Sequence, residues 1–319
     1  MSPEAAVGSR PAARTRRHFL AIADESVDEI RDLIDLALEI KRRYKGGERD
    51  KPLAGLELAM LFEKPSLRTR VSFEVGMRQL GGNVLYLAPD EVGLGKRETI
   101  PDAAQVLSRM VDAIMIRTFG HERVTELAMH ASVPVINGLS EQEHPCQALA
   151  DVLTIREHRG VVRNLRLTYL GDGNNVCVSL MAAAARLGIR MTIACPPGYA
   201  PPPDDVQAAR QVAKRTGGSV EISHDPRSAV RGADVVYTDV WVSMGQERES
   251  ATRRAAFAGY QVNGGLMESA GDAVVMHCLP AHRGEEITDD VMESPSSIVF
   301  DQAENRIHAQ KAVLCRLLA

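Results

Sequence analysis

The chain reads as an α/β protein made of two doubly wound parallel-sheet domains. Three observations carry that reading. Short apolar runs of strand length alternate with helical patterns along most of the sequence, the arrangement of parallel sheets covered on both faces. The 319 residues suffice for two cores of the usual ~100–200 residues each. Several of the apolar runs end abruptly in polar residues, and in open α/β sheets the ligand site lies beyond the carboxyl ends of the strands.

Taken in order, residues 1–17, rich in Ala, Arg and Pro, read as a flexible extension. Thr15-Arg16-Arg17-His18-Phe19-Leu20 looks like a twin-arginine export signal. Asp24, Glu25, Asp28 and Glu29 follow at once where an apolar stretch is needed, so export is rejected. The first helix opens on the capping box Ser26-Val27-Asp28-Glu29. It shows one apolar face through Ile30, Leu33, Ile34, Ala37 and Ile40, and stops at Gly46-Gly47. Strands are expected at 57–62, 83–87, 111–116 and 133–136, then at 165–170, 190–195, 219–222, 233–238, 273–278 and 298–300. The stretch 145–160 reads as a helix, and the boundary between a domain 18–150 and a domain 151–302 is placed there, near Asp151. A last helix, about 303–318, carries Ile307, Val313, Leu314, Leu317 and Leu318 on one side. Its periodicity suits packing on either domain.

Composition narrows the function classes. A net charge of −4 argues against broad nucleic-acid binding, which needs a basic face. No stretch approaches the ~18 uninterrupted apolar residues of a membrane span. Five scattered cysteines, none in a C-x-x-C pair, fit reduced thiols in the cytoplasm better than a disulfide framework.

Four segments carry chemistry. Ser66-Leu67-Arg68-Thr69-Arg70 lies where a strand hands over to a helix. Free main-chain N–H groups, the positive end of the helix dipole, hydroxyls and guanidinium forks there suit an anion. Gly171-Asp172-Gly173-Asn174-Asn175 invites a dinucleotide reading. Val176 stands where the third glycine belongs, however, and Cys195-Pro196 offers no acid for a ribose. His144-Pro145-Cys146-Gln147 and His277-Cys278-Leu279-Pro280 pair a histidine with a thiol, without the close ligand spacing of a zinc site. Cys278 is a possible nucleophile for which nothing marks a dedicated base. Asp239-Val240-Trp241-Val242-Ser243-Met244-Gly245 follows an apolar strand. It suits either an amino-acid head group or an ordinary surface loop.

Together with Arg117-Thr118-Phe119-Gly120 and Gln302-Ala303-Glu304-Asn305-Arg306, these segments resemble, in order, the aspartate/ornithine carbamoyltransferase family, on its ornithine side, from His18 onward. The resemblance implies transfer of the carbamoyl group of carbamoyl phosphate to the δ-amine of L-ornithine, giving L-citrulline and phosphate, with no cofactor and no metal. It implies a carbamoyl phosphate domain first, to which helix 303–319 returns, and an ornithine domain second. Ser66, the Leu67 amide, Arg68 and Thr69 would hold the phosphate. Arg117, His144 and Thr69 would surround the carbamoyl oxygen, and Gln147, Cys278, Leu279 and Arg306 would fix the carbamoyl group. Asn175 and the Met244 amide would take the ornithine carboxylate, and Asp239 and Ser243 its α-ammonium. Cys278, with a thiol pKa near its reference value of ~8.5, would receive or relay the proton of the attacking amine. A homotrimer is expected.

Two residues depart from the family pattern. Leu67 stands where a threonine is common, which keeps an amide and loses a hydroxyl. Gly93 stands where a glutamine often enters a neighbouring subunit's site, leaving Lys96 and Arg97 as substitutes. A nicotinamide dehydrogenase would need Gly at 176 and an acid near 195. A silent relative should have lost Arg68, Arg117 or His144, and all three are present.

Overall fold

The computed structural model describes residues 18–319, so the expectation for 1–17 lies outside the described residues. Helix α1 (Val27–Lys45) leads into β1 (Glu57–Phe62), α2 (Leu67–Gln79), β2 (Asn83–Leu87), α3 (Pro89–Val92), α4 (Ile100–Leu107), β3 (Ala113–Arg117), α5 (His121–His130) and β4 (Val135–Leu139). The capping box of α1 forms as its sequence dictates: Glu29 N–H donates to Ser26 Oγ at 3.2 Å, and Ser26 N–H donates back to Glu29 Oε2 at 2.8 Å. These strands make a parallel sheet in the order β2-β1-β3-β4.

Helix α6 (Pro145–Arg159) then carries the chain to β5 (Arg166–Leu170), α7 (Asn175–Leu187), β6 (Arg190–Ala194), α8 (Pro203–Thr216), β7 (Ser219–Ser223), α9 (Pro226–Ala229) and β8 (Val235–Thr238). After α10 (Ser250–Phe257), α11 (Gly264–Ala270), β9 (Val274–His277) and α12 (Asp289–Met292), the long α13 (Val299–Leu318) closes the chain. The second parallel sheet runs β7-β6-β5-β8-β9. Two doubly wound parallel sheets are therefore present, as expected.

Strand order reverses direction between β1 and β3 in the first sheet and between β5 and β8 in the second. Register places Phe62 beside Arg117 and Leu170 beside Thr238, so the segments after those four residues leave their sheets side by side. One core runs from the first sheet through α6 and α7 into the second. It joins Met60, Leu149, Leu153, Leu180, Tyr169 and Val313, each at most 2% exposed.

One expectation needs correction. The strand at 298–300 is absent: one bridge pairs Val275 with Ser297, Ile298 N–H donates to Val275 O at 3.0 Å, and the chain then turns into α13. Ile298 and Val299 are apolar because they are buried at a helix start. The helix expected at 145–160, in which the domain boundary is placed, is α6, ending at Arg159, and the loop after it leads to the second sheet. Helix α13 packs on α1, α2 and α6. Lys41 Nζ donates to Asn305 Oδ1, Asn305 Nδ2 donates to Thr154 Oγ1, and Arg316 forks onto Glu25.

Candidate active site

A cavity of about 400 Å³ opens at the carboxyl ends of both sheets. Its wall includes Ser66, Leu67, Arg68, Arg117, His144, Gln147, Asn175, Asp239, Ser243, Met244, Cys278, Leu279 and Arg306. Thr69 sits beneath that wall, fully buried.

On the first-domain side, Ser66 caps α2, accepting from Thr69 N–H at 3.2 Å and donating to Thr69 Oγ1 at 3.1 Å. No acidic residue occupies the first turn of α2, so its positive end faces the cavity uncompensated by its own helix. The Leu67 side chain is 74% exposed, which leaves its amide as its contribution to the helix start. Thr69 Oγ1 also accepts from Arg306 Nη2 at 2.8 Å and Arg117 Nη1 at 3.4 Å. Three guanidiniums, those of Arg68, Arg117 and Arg306, thus converge, and each keeps a buried Nε with no partner among the described residues. Burial, then Arg306 and Arg68, push Arg117 down to about 9. Burial also lowers Arg68, and burial followed by Arg68 lowers Arg306. His144 stands before Pro145, which opens α6, and its main-chain N–H donates to Ser179 Oγ at 2.8 Å. Burial and the same three arginines hold its imidazole well below the usual pKa, so it is neutral. Cations crowded this way require anionic charge, and their open donors require acceptors.

Across the cavity, Asn174 caps α7. Its Oδ1 accepts from Val176 and Cys177 N–H, and its Nδ2 donates to Asp239 Oδ2 at 2.8 Å. The Cys278 thiol donates to Asp239 Oδ1 at 3.0 Å. Burial and then Asp239 push that thiol well above its ordinary value, which overturns the expectation of a pKa near 8.5. In this geometry Cys278 is a neutral donor that fixes Asp239, with no thiolate to act as base. The Asn175 amide is engaged too: its Nδ2 donates to Ser140 O at 2.6 Å. Met244, 50% exposed, lies at the rim on a loop where Ser243 N–H donates to Gln246 Oε1 and Gly245 N–H to Glu247 Oε1.

The second glycine of the 171–175 turn has a packing cause. A Cβ on Gly173 would come within 2.1 Å of Pro201 N, and Gly173 N–H donates to Tyr199 O. Asp239, His277 and Cys278 lie close enough to share an ion, yet both His277 ring nitrogens are committed. Nε2 meets Glu286 Oε1 at 3.0 Å, and Nδ1 accepts from Leu279 N–H at 2.8 Å. The sequence reading missed three residues. Lys64 and His282 also line the cavity, and Asn174 orients Asp239. The Lys64 ammonium lies 4.2 Å over the Phe119 ring, and burial lowers its pKa. Its signal was its place in the same strand-to-helix turn as Ser66. Lys96 and Arg97 are exposed and are not among the residues lining this chain's cavity.

Fold and site define a two-domain α/β protein in which a polyanion site on one sheet faces a carboxylate-and-amide site on the other. Residues 17–157 match the family model for the carbamoyl-P binding domain of aspartate/ornithine carbamoyltransferase, and residues 163–317 match its Asp/Orn binding domain. The chain belongs to the aspartate/ornithine carbamoyltransferase family. It is 54% identical over 303 residues to the ornithine carbamoyltransferase of Anoxybacillus flavithermus, covering 95% of this chain and 96% of that one. Identity to the Pyrococcus horikoshii ornithine carbamoyltransferase is also 54%, with the same coverage. Among solved structures, the ornithine carbamoyltransferase from Pyrococcus furiosus superimposes with a TM-score of 0.93 at 52% identity, covering 95% of this chain and 97% of that one. The anabolic enzyme of that name from Campylobacter jejuni gives 0.89 at 38%, covering 94% and 98%.

Proposed function

We propose that this protein transfers the carbamoyl group of carbamoyl phosphate to the δ-amine of L-ornithine, giving L-citrulline and phosphate in arginine metabolism. The observation that carries the reading is the face-to-face arrangement of two unlike sites. Arg68, Arg117 and Arg306 surround the α2 N-terminus, and Asp239 stands opposite with Cys278.

Carbamoyl phosphate binds on the arginine side. Ser66, the Leu67 amide, Arg68 and Thr69 take the phosphate. Arg117 and neutral His144 direct donors at the carbonyl oxygen, where negative charge grows as the amine adds. Preorganised donors of this kind are commonly worth about 3–4 kcal/mol each in the transition state. Ornithine binds on the other side, its α-ammonium against Asp239 and Ser243. Its carboxylate goes to the Met244 amide and to Asn175 once that amide turns from Ser140 O. The deprotonated δ-amine attacks the carbamoyl carbon, a C–N bond forms, and the C–O bond to phosphate breaks with its electron pair leaving on phosphate. A thiol held neutral beside Asp239 is a poor base, so the departing phosphate receives the amine's second proton.

Rates with a panel of acceptors test the assignment. Asp239 reads a positive charge and the loop amides read a carboxylate. Ornithine should therefore exceed putrescine, N-acetylornithine and aspartate in kcat/KM by at least ~10³-fold. Asp239→Asn should lower ornithine turnover and leave carbamoyl phosphate affinity nearly unchanged. Comparable rates with any of the three alternatives overturn the acceptor assignment. A cytoplasmic homotrimer completes the reading. It is supported by five free cysteines, four of them buried, and by the exposed Lys96 and Arg97 beside the left-handed Gly93. A sedimenting mass of one chain would refute the trimer.

A further inference from the structure

We infer that Asp151, which is absent from the cavity wall, decides the ligand chemistry of Gln147 and thereby makes the site select an N–H donor beside the reacting carbonyl. The inference rests on the carbamoyl phosphate reading above. It begins at a main-chain amide, whose role as donor admits no alternative. His277 N–H donates to Gln302 Oε1 at 2.9 Å. That contact fixes which end of Gln302 is which. Its Nε2 is the atom that meets Asp151 Oδ1 at 2.7 Å and Tyr237 Oη at 3.1 Å.

Asp151 Oδ1 is thereby an acceptor, so the Gln147 atom 2.8 Å from that same oxygen is its Nε2. Burial raises the Asp151 carboxyl to about 7, and above that pH, where it is ionised, an amide oxygen there would set two acceptors against each other. Tyr237 O–H donates to Oδ2 at 3.2 Å and completes the carboxylate. All four side chains, Gln147, Asp151, Tyr237 and Gln302, are at most 1% exposed.

One end of Gln147 is therefore tied, and the other has a defined character. Gln147 Oε1 is a buried acceptor with no partner among the described residues, on a residue that lines the cavity with Arg117, His144 and Arg306. Among guanidinium donors it offers the opposite polarity. A carbamoyl –NH₂ donates to it, whereas the methyl of an acyl phosphate leaves it unpaired, and sites built on hydrogen bonds reject ligands that do so. Asp151 is a positioning residue: it touches no substrate and acts by holding the Gln147 amide one way round. The chain of contacts also crosses the molecule. It starts on β9, passes through α13 and α6, and is braced by β8.

Two phosphonates of equal shape test the assignment by calorimetric titration of the purified full chain at a pH well above 7, where Asp151 is ionised. Phosphonoacetamide carries –NH₂ beside its carbonyl, and acetonylphosphonate carries –CH₃ in its place. The wild type should bind the amide at least ~10-fold tighter. In Asp151→Leu the Gln147 amide is free to turn, and the preference should fall to about 3-fold or less, with inorganic phosphate affinity held. Asp151→Asn should keep most of the preference, because its Oδ1 still accepts from both glutamines and its Nδ2 donates to Tyr237 Oη. Should the leucine variant not fold, Gln302→Met removes the contact that fixes Oδ1, and its preference should lie between those of wild type and leucine. A folded Asp151→Leu, or Gln302→Met, that retains the full preference overturns the positioning role, as does equal weakening of both phosphonates. A wild type that binds neither phosphonate removes the carbamoyl phosphate reading and this inference with it.

Discussion

Arg253→Met should destabilise the protein by about 3–5 kcal/mol at pH 8, the usual loss on removing one partner of a buried ion pair. The magnitude follows from the surroundings of Arg253. Its side chain is 6% exposed, is paired with Asp172 at 13%, and donates from Nε to Trp241 O at 2.6 Å. The guanidinium also lies 5.0 Å and 5.7 Å from the Tyr199 and Phe257 ring centroids. Methionine fills much of that space but leaves the Trp241 carbonyl without its donor and Asp172 without its cation. Burial already raises the Asp172 carboxyl, with Arg253 the main group opposing that shift, so loss of Arg253 raises it further. In the variant the folded state then holds a proton that the unfolded chain releases near its ordinary value. Stability of the variant relative to wild type therefore improves as pH falls through the raised pKa. Urea unfolding at pH 8 and pH 5.5 measures both effects. With slopes of ~2–3 kcal/mol per molar, the midpoint at pH 8 should drop by about 1–2 M. Asp172→Asn added to Arg253→Met should recover at least half the loss. A single variant losing under ~1 kcal/mol, or a double variant no more stable than the single, would refute the reasoning.

Two more outcomes are expected. Arg68→Ala should leave the unfolding transition nearly in place while carbamoyl phosphate affinity falls severely, since its Nε has no partner to lose among the described residues; equal affinities by titration calorimetry would contradict that. Glu143→Gln should change the pH dependence of stability, because burial raises the Glu143 carboxyl from 4.5 to about 7 despite the Ser179 hydroxyl. Between those values the folded state binds the proton more tightly, so wild-type stability relative to the glutamine variant should decline by up to about 3 kcal/mol as pH rises, then level off. Parallel pH profiles of the two proteins would show that the carboxyl is not shifted.

Both sheets were legible because their strands are apolar runs bounded by turn residues, and each begins at or just after the expected residue. The same signal failed at 298–300, where Ile298 and Val299, buried at a helix start, and the exposed Phe300 look like a strand of minimal length. Residues that line the cavity from the strand ends could be read from motif and position. Asn174 could not, because its reach to Asp239 depends on β5 lying beside β8, a pairing that no local spacing encodes. The state of Cys278 was illegible for a related reason. Its reference pKa belongs to the residue type, whereas its burial and its bond to Asp239 belong to the assembled site. Asp151 passed as one more helical residue until Gln302 and Tyr237 arrived from elsewhere in the chain.

Arg306 and Gln302 stand on α13, and the whole second domain is synthesised between them and the sheet they complete. A growing chain that has finished α6 has an anion corner with two of its three guanidiniums, and a Gln147 amide whose outward end is still undecided. Both defects are cured by one event, the docking of the last helix against α1, α2 and α6. Activity arrives in one step with the final helix, and a cut between the domains would separate each half from a part of its own site.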